Sequence, residues 1–242
     1  MRNCSTLLFD LDGTLLDSRE GVINAVYFTI EEHCPGMFTR DEITDRFGES
    51  LEEFLHEVEI RINEQQVQKP ELPDQSESNK GKLWDRSAYC RDYFTYMKKH
   101  HNSQIQLFPF VREGLVALQK RGFQLAVVTN KQREFALQGL EMAGILHVLD
   151  TVVTLDDVAL GKPSPEPIQK AIAILRTTPE ETLMIGDSRY DLLSASAAGV
   201  RSVLLEWYGV DQQMQEEPHY RFSTFQMLVD ELLLASVQRK GE

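Results

Sequence analysis

The chain has 242 residues, 42 % apolar and 26 % charged, with a net charge of −13 at pH 7. That is ordinary globular composition, enough for one sizeable core or a core with a small second domain. The acidic excess argues against an unspecific binder of nucleic acid or anionic membrane, yet leaves room for a small anionic substrate in a locally positive site. Cys4, Cys34 and Cys90 form no metal-ligand or redox spacing, and such an odd, sparse set fits a reducing compartment. With no leader-like or membrane-length apolar run, a soluble, cytoplasmic protein is expected.

Leu7 to Phe9 reads as a short buried strand. It runs into Asp10 and Asp12, and Gly13 then turns the chain. Both acids are expected at the carboxyl end of the strand, where open α/β sheets bind their ligands. Two anions so close repel, and a divalent cation removes the conflict. Mg²⁺ suits oxygen ligands and tolerates bound phosphate.

After Leu16 the pattern turns helical. Asp17 or Ser18 is a plausible cap, and Val22, Ile23, Val26, Tyr27 and Ile30 recur at helical spacing until Pro35-Gly36. A second piece starts near Thr39 or Asp41. Leu51, Phe54, Leu55 and Val58 mark a third helix. Arg61 to Lys82 is polar, with Pro70 and Pro73, and is expected to be a long loop. Leu83 to Lys99 is helical again, its Trp84, Tyr89, Tyr93, Phe94 and Met97 roughly on one side for core packing.

From Pro109 strand and helix alternate. Helices are expected at Val111–Lys120, Arg133–Met142, Pro165–Leu175, Asp191–Ala198 and Phe225–Ala235. Strands are expected at Phe123–Thr129, Asp150–Thr154, Thr182–Ile185 and, as the last of the sheet, Val203–Leu205. This alternation indicates a doubly wound, Rossmann-like parallel α/β sheet. Residues 18–104 carry no strand signal and read as an all-helical cap domain inserted into a core made of residues 1–17 and 105–242.

Three further spots fall at strand ends. Thr129 and Asn130 place two short polar side chains after an apolar strand, a pattern that also serves as an ordinary helix cap. Lys162 lies between Gly161 and Pro163, whose backbone restrictions aim it. Asp187 follows a strand and Gly186, with Asp191 at the start of the next helix, where a carboxylate favours the dipole.

The set Asp10-Leu11-Asp12-Gly13-Thr14, Thr129-Asn130, Lys162 and Asp187 with Asp191 resembles motifs I to IV of the haloacid dehalogenase superfamily, in order and across essentially the whole chain. Val128-Thr129-Asn130-Lys131 is similar to the second motif of its phosphoglycolate-phosphatase-like branch. Phe110 stands where relatives often carry glycine, and no catalytic consequence is expected. The family's dehalogenases lack an acid two residues after the nucleophile, so Asp12 places the chain with the phosphatases.

The resemblance implies a Mg²⁺-dependent phosphatase for a small phosphorylated metabolite, monomer or homodimer, working through an aspartyl-phosphate. Asp10 is implied as nucleophile and Asp12 as acid and base. Thr129, Asn130 and Lys162 are implied as phosphate ligands. Asp10, Asp187 and the Asp12 backbone carbonyl are implied as metal ligands, and Asp191 as support for Lys162 or a metal-bound water. The cap is expected to close over the site and choose the substrate. A sugar phosphomutase uses the same motifs, and an inactive phospho-ligand-binding protein would keep the scaffold without turnover.

Overall fold

A computed structural model describes residues 1, 3–68, 84–100, 103–208, 214 and 216–239. In chain order it gives β1 (Thr6–Phe9), β2 (Leu16–Asp17), α1 (Arg19–His33), α2 (Arg40–Thr44), α3 (Leu51–Gln68), α4 (Arg86–His100), β3 (Gln106–Leu107), α5 (Val111–Arg121), β4 (Gln124–Val128), α6 (Arg133–Met142), β5 (Thr151–Val153), α7 (Glu166–Leu175), β6 (Thr182–Gly186), α8 (Arg189–Ala197), β7 (Arg201–Leu205), β8 (Tyr220–Phe222) and α9 (Phe225–Arg239). The chain divides into two compact units, one of Met1–Arg19 with Ile105–Glu242 and one of Glu20–Gln104.

The first unit holds a six-stranded sheet of order β5-β4-β1-β6-β7-β8, parallel at every pairing. Its central strands are apolar on both faces, and their two-residue period divides them between two layers. Leu7, Phe9, Leu125, Val127, Leu183 and Ile185 join a core with α5, α6 and α9. Leu8, Ala126, Val128 and Met184 face the other way, onto α7 and α8. Each such side chain removed from water contributes about 2 kcal/mol, which is why these short runs hold as strands. β2 and β3 pair antiparallel in a separate ribbon.

Two expectations are corrected here. Val203–Leu205 is not the last sheet strand, because Tyr220–Phe222 adds β8 at the edge. Three half-exposed residues are too few to show alternation in the sequence. The polar stretch from Arg61 is not a loop from its start, since residues 61–68 continue α3. Arg61 binds Glu57 one turn back and Glu42 on α2, and Ile62 packs on the apolar centre of its unit. Residues 69–82 of that expected loop lie outside the described residues.

The second unit is helical among its described residues. Its centre joins Ile23 and Ile30 of α1, Ile43 of α2, Phe54, Leu55 and Val58 of α3, and Tyr89 of α4. Thr39 caps α2 through a reciprocal box with Glu42. No described helix is long and apolar enough to cross a membrane.

Candidate active site

The register pairs Phe9 with Val127 on one side and Ile185 on the other. Residues just beyond these three therefore emerge together at the carboxyl edge, with the chain running from β1 outward in both directions. Asp10 follows β1, Thr129 follows β4 and Asp187 follows β6.

Asp10 is buried, and its Oδ1 lies 2.8 Å from Lys162 Nζ. The same ammonium reaches Asp191 Oδ1 at 2.6 Å. Lys162 is 2 % exposed and Asp191 0 %, so this is a dry carboxylate–ammonium–carboxylate chain. The other oxygen of Asp191 accepts from Ser188 N–H (3.1 Å) and Oγ (2.6 Å). Ser188 is thus the cap of α8, and Asp191, at its third position, closes a capping box. One helix start thereby aims the acid that holds the lysine. Gly186 makes room for it, since a Cβ there would fall 2.2 Å from Asp191 Cγ.

Asp187 accepts from Thr14 Oγ1 at 2.8 Å, and no ion pair reaches it among the described residues. One oxygen each of Asp10, Asp187 and Asp191 lie within 4.8 Å of one another. Burial pushes the Asp10 carboxyl up; Lys162 opposes this and the Asp191 charge adds to it, leaving it at about 7. Burial, then the charges of Asp191 and Asp10, push Asp187 well above the usual carboxylate range. Lys162 moves up although its burial opposes this, because Asp10 and Asp191 attract its proton. One ammonium pairs with two of the three clustered acids, Asp10 and Asp191, and a set of hard oxygen donors with charge to spare fits Mg²⁺.

Asp12 stands apart from that cluster on its side-chain side. Both its oxygens meet Lys131 Nζ, at 2.9 and 2.7 Å, and Ser18 Oγ donates to Oδ1 at 2.6 Å. Thr129 is buried, and its Oγ1 accepts from the Lys131 N–H at 3.1 Å, which leaves its own proton to donate. The Asn130 side chain is turned onto the Lys162 peptide, accepting from its N–H (2.7 Å) and donating to its carbonyl (2.9 Å). Asn130 therefore holds the loop that carries Lys162, whose peptide bond to Pro163 is cis.

The candidate site residues Asp10, Asp12, Thr129, Asn130, Lys162, Asp187 and Asp191 all lie at this sheet edge. Four supporting groups had no assigned part in the site: Thr14 and Lys131, which appear only within motifs, Ser18, read as a helix cap, and Ser188. The Ser188-x-x-Asp191 spacing is a capping-box signature and was legible. The contacts of Thr14, Ser18 and Lys131 depend on how the turns fold back, which local pattern does not encode.

Fold and site define a class of α/β protein that gathers buried carboxylates beyond the central strands of a parallel sheet. The family profile described as haloacid dehalogenase-like hydrolase matches residues 7–205. Pyrophosphatase PpaX of Bacillus pumilus is 32 % identical over 203 residues, covering 84 % of this chain and 83 % of that protein. Pyrophosphatase PpaX of Halalkalibacterium halodurans is 31 % identical over 228 residues, covering 93 % and 95 %. The crystal structure of a predicted phosphoglycolate phosphatase from Haemophilus somnus superposes with a TM-score of 0.77 at 24 % identity, covering 97 % of this chain and 99 % of the other. The chain belongs to the haloacid dehalogenase-like hydrolase family, and within it is a phosphatase.

Proposed function

We propose that this phosphatase hydrolyses a small phosphorylated compound, with Mg²⁺, through a phosphoryl group carried transiently by Asp10. The observation that carries the reading is the buried Asp10–Lys162–Asp191 chain beside Asp187. A buried, oriented carboxylate next to a fixed ammonium is a nucleophile with an anion site in front of it. The PpaX relatives support inorganic pyrophosphate as the first substrate to test. Phosphoglycolate, which the sequence resemblance suggested, is the natural comparison.

Asp10 attacks phosphorus and the bond to the leaving oxygen breaks. Asp12 gives that oxygen a proton, then takes one from the water that hydrolyses the aspartyl-phosphate. Lys162 and the Thr129 hydroxyl donate to the non-bridging oxygens, where charge builds in the transition state. Asn130 and Asp191 keep Lys162 in place from its backbone and its ammonium. Mg²⁺, held by Asp10, Asp187 and the Asp12 carbonyl, would offset the repulsion among the acids and the charge of the phosphoryl group.

The test is phosphate release from pyrophosphate, phosphoglycolate and sugar and nucleotide monophosphates, with Mg²⁺ or with EDTA, for wild type and Asp10→Asn. Release that needs Mg²⁺ and falls at least about 1,000-fold in the variant supports the reading. Undiminished release in EDTA removes the metal from it, and an active Asp10→Asn removes the nucleophile. A sugar phosphate consumed without free phosphate would make the enzyme a mutase.

A further inference from the structure

We propose that Lys131 is the leaving-group residue of this site and favours substrates whose leaving group is itself a phosphate. The inference rests on the reading of Asp12 as the acid that protonates the leaving oxygen.

Lys131 Nζ lies 2.9 and 2.7 Å from the two oxygens of Asp12, and its side chain is only 6 % exposed. Lysines are seldom buried so far unless paired. Its backbone is fixed as well, by the N–H bond to Thr129 Oγ1 at the end of β4. The site therefore holds two ammonium groups with separate addresses. Lys162 contacts Asp10 and Asp191, on the side where the transferred phosphoryl group is attacked. Lys131 contacts Asp12, the group that on this reading meets the departing product.

Geometry then links Lys131 to the substrate. A leaving oxygen that receives a proton from Asp12 comes within hydrogen-bond reach, about 3 Å, of that carboxyl. The Lys131 ammonium already touches both oxygens of the same carboxyl, so it flanks whatever the leaving oxygen carries.

What it carries depends on the substrate. An alkyl phosphate ester gives up a neutral alcohol once its oxygen is protonated, and a neighbouring ammonium has little charge to stabilise. Pyrophosphate gives up a second phosphate. The Asp10 oxygen–phosphorus bond forms, the bridging phosphorus–oxygen bond breaks, and its electron pair stays on the departing phosphate. With the Asp12 proton that group leaves as hydrogenphosphate, still carrying two negative charges. Water then attacks the phosphorus on Asp10, its proton goes to Asp12, and the second phosphate is released. Fixed positive charge beside a group that gains negative charge in the transition state lowers the barrier. Lys131 also holds Asp12 in place, but that duty would serve every substrate alike, whereas a leaving-group contact serves those with an anionic leaving group.

The experiment compares kcat/KM for pyrophosphate with kcat/KM for ethyl phosphate and propyl phosphate, in wild type, Lys131→Met and Lys131→Arg. Each variant is judged by the ratio between substrates, which does not depend on what fraction of it is folded. Lys131→Met is expected to lose about 100-fold on pyrophosphate and less than about 5-fold on the two esters, a size typical of removing one transition-state donor. Lys131→Arg, which keeps the charge, is expected to hold the wild-type ratio within about 3-fold. Equal losses on all three substrates would reduce Lys131 to a support for Asp12 and overturn the proposal. Release from none of them by wild type would instead overturn the phosphatase reading beneath it.

Discussion

A Cβ built on Gly13 would lie 2.2 Å from Asp187 Oδ2, so the turn after β1 and the acid after β6 pack directly against each other. Gly13 also has φ +82°, in the left-handed region. Through this contact Asp187 is held beside Asp10, where one oxygen of each, with one of Asp191, lie within 4.8 Å of one another. Gly13→Ala is therefore expected to push Asp187 out of the cluster and lower phosphate release at least about 100-fold. Gly199 is the control, with φ +69° and nothing within 4 Å of its Cβ position. Gly199→Ala carries the backbone cost of about 1 kcal/mol without displacing an acid. Its melting temperature should fall while its activity stays. If both variants keep full activity, the Gly13–Asp187 contact has no bearing on catalysis.

Lys162 offers a stability test as well as a catalytic one. Lys162→Met leaves Asp10 and Asp191 buried and facing each other without their shared cation. Losing one partner of a buried ion pair costs roughly 3 kcal/mol or more. Thermal melts without Mg²⁺ should show a drop of about 6–12 °C for a chain of this size. Adding Asp191→Asn to the same chain should recover part of it, because one of the stranded charges is then gone. A double variant no more stable than Lys162→Met alone would mean that Asp191 is not what the ammonium compensates.

Much of the site was legible because strand ends and turns are local. The apolar runs before Asp10, Thr129 and Asp187 mark strands, and a parallel sheet carries all their carboxyl ends to one edge. Sequence spacing could not say which of the gathered groups touch. Asn130 read as a phosphate donor, yet its amide is turned onto the Lys162 peptide, a contact 32 residues away along the chain. Lys131 was noted only as part of a motif, and its pairing with Asp12 spans 119 residues. The same limit applies to the fold. Tyr220–Phe222 is strand because β7 offers it an edge, and residues 61–68 are helix because Arg61 finds Glu57 and Glu42. Phe110, which stands where relatives often carry glycine and for which no catalytic consequence is expected, is left-handed at φ 67°, the conformation that glycine adopts freely.

The Asn130 geometry makes a prediction that separates a holding role from a binding one. Asn130→Ala removes both bonds to the Lys162 peptide while leaving Thr129 and the ammonium chemically intact. A loosened lysine should lower kcat about 10-fold or more, because a displacement near 1 Å is enough for that. Affinity for inorganic phosphate as a competitive inhibitor should weaken only as far as Lys162 moves. A variant with normal kcat would show that Asp10 and Asp191 hold the Lys162 ammonium without Asn130.

Away from the acids, Asp157 gives a pH-dependent prediction. Partial burial raises its carboxyl, but hydrogen bonds from Arg133 and from the Thr154 backbone and hydroxyl outweigh that and hold it down at about 2. Arg133 is half exposed, at 44 % of its side chain, so solvent screening reduces the value of the pair to roughly 1 kcal/mol. The sign follows from a folded value below the unfolded 3.8. The unfolded chain binds the proton first, so the contribution is complete above about pH 4 and fades as pH falls toward 2. Asp157→Asn should therefore be less stable than wild type at pH 6 by about that amount, and the gap should shrink between pH 4 and pH 2.5. Urea midpoints across this range measure it. A gap that stays constant with pH would assign the loss to the Thr154 hydrogen bonds rather than to the Asp157 charge.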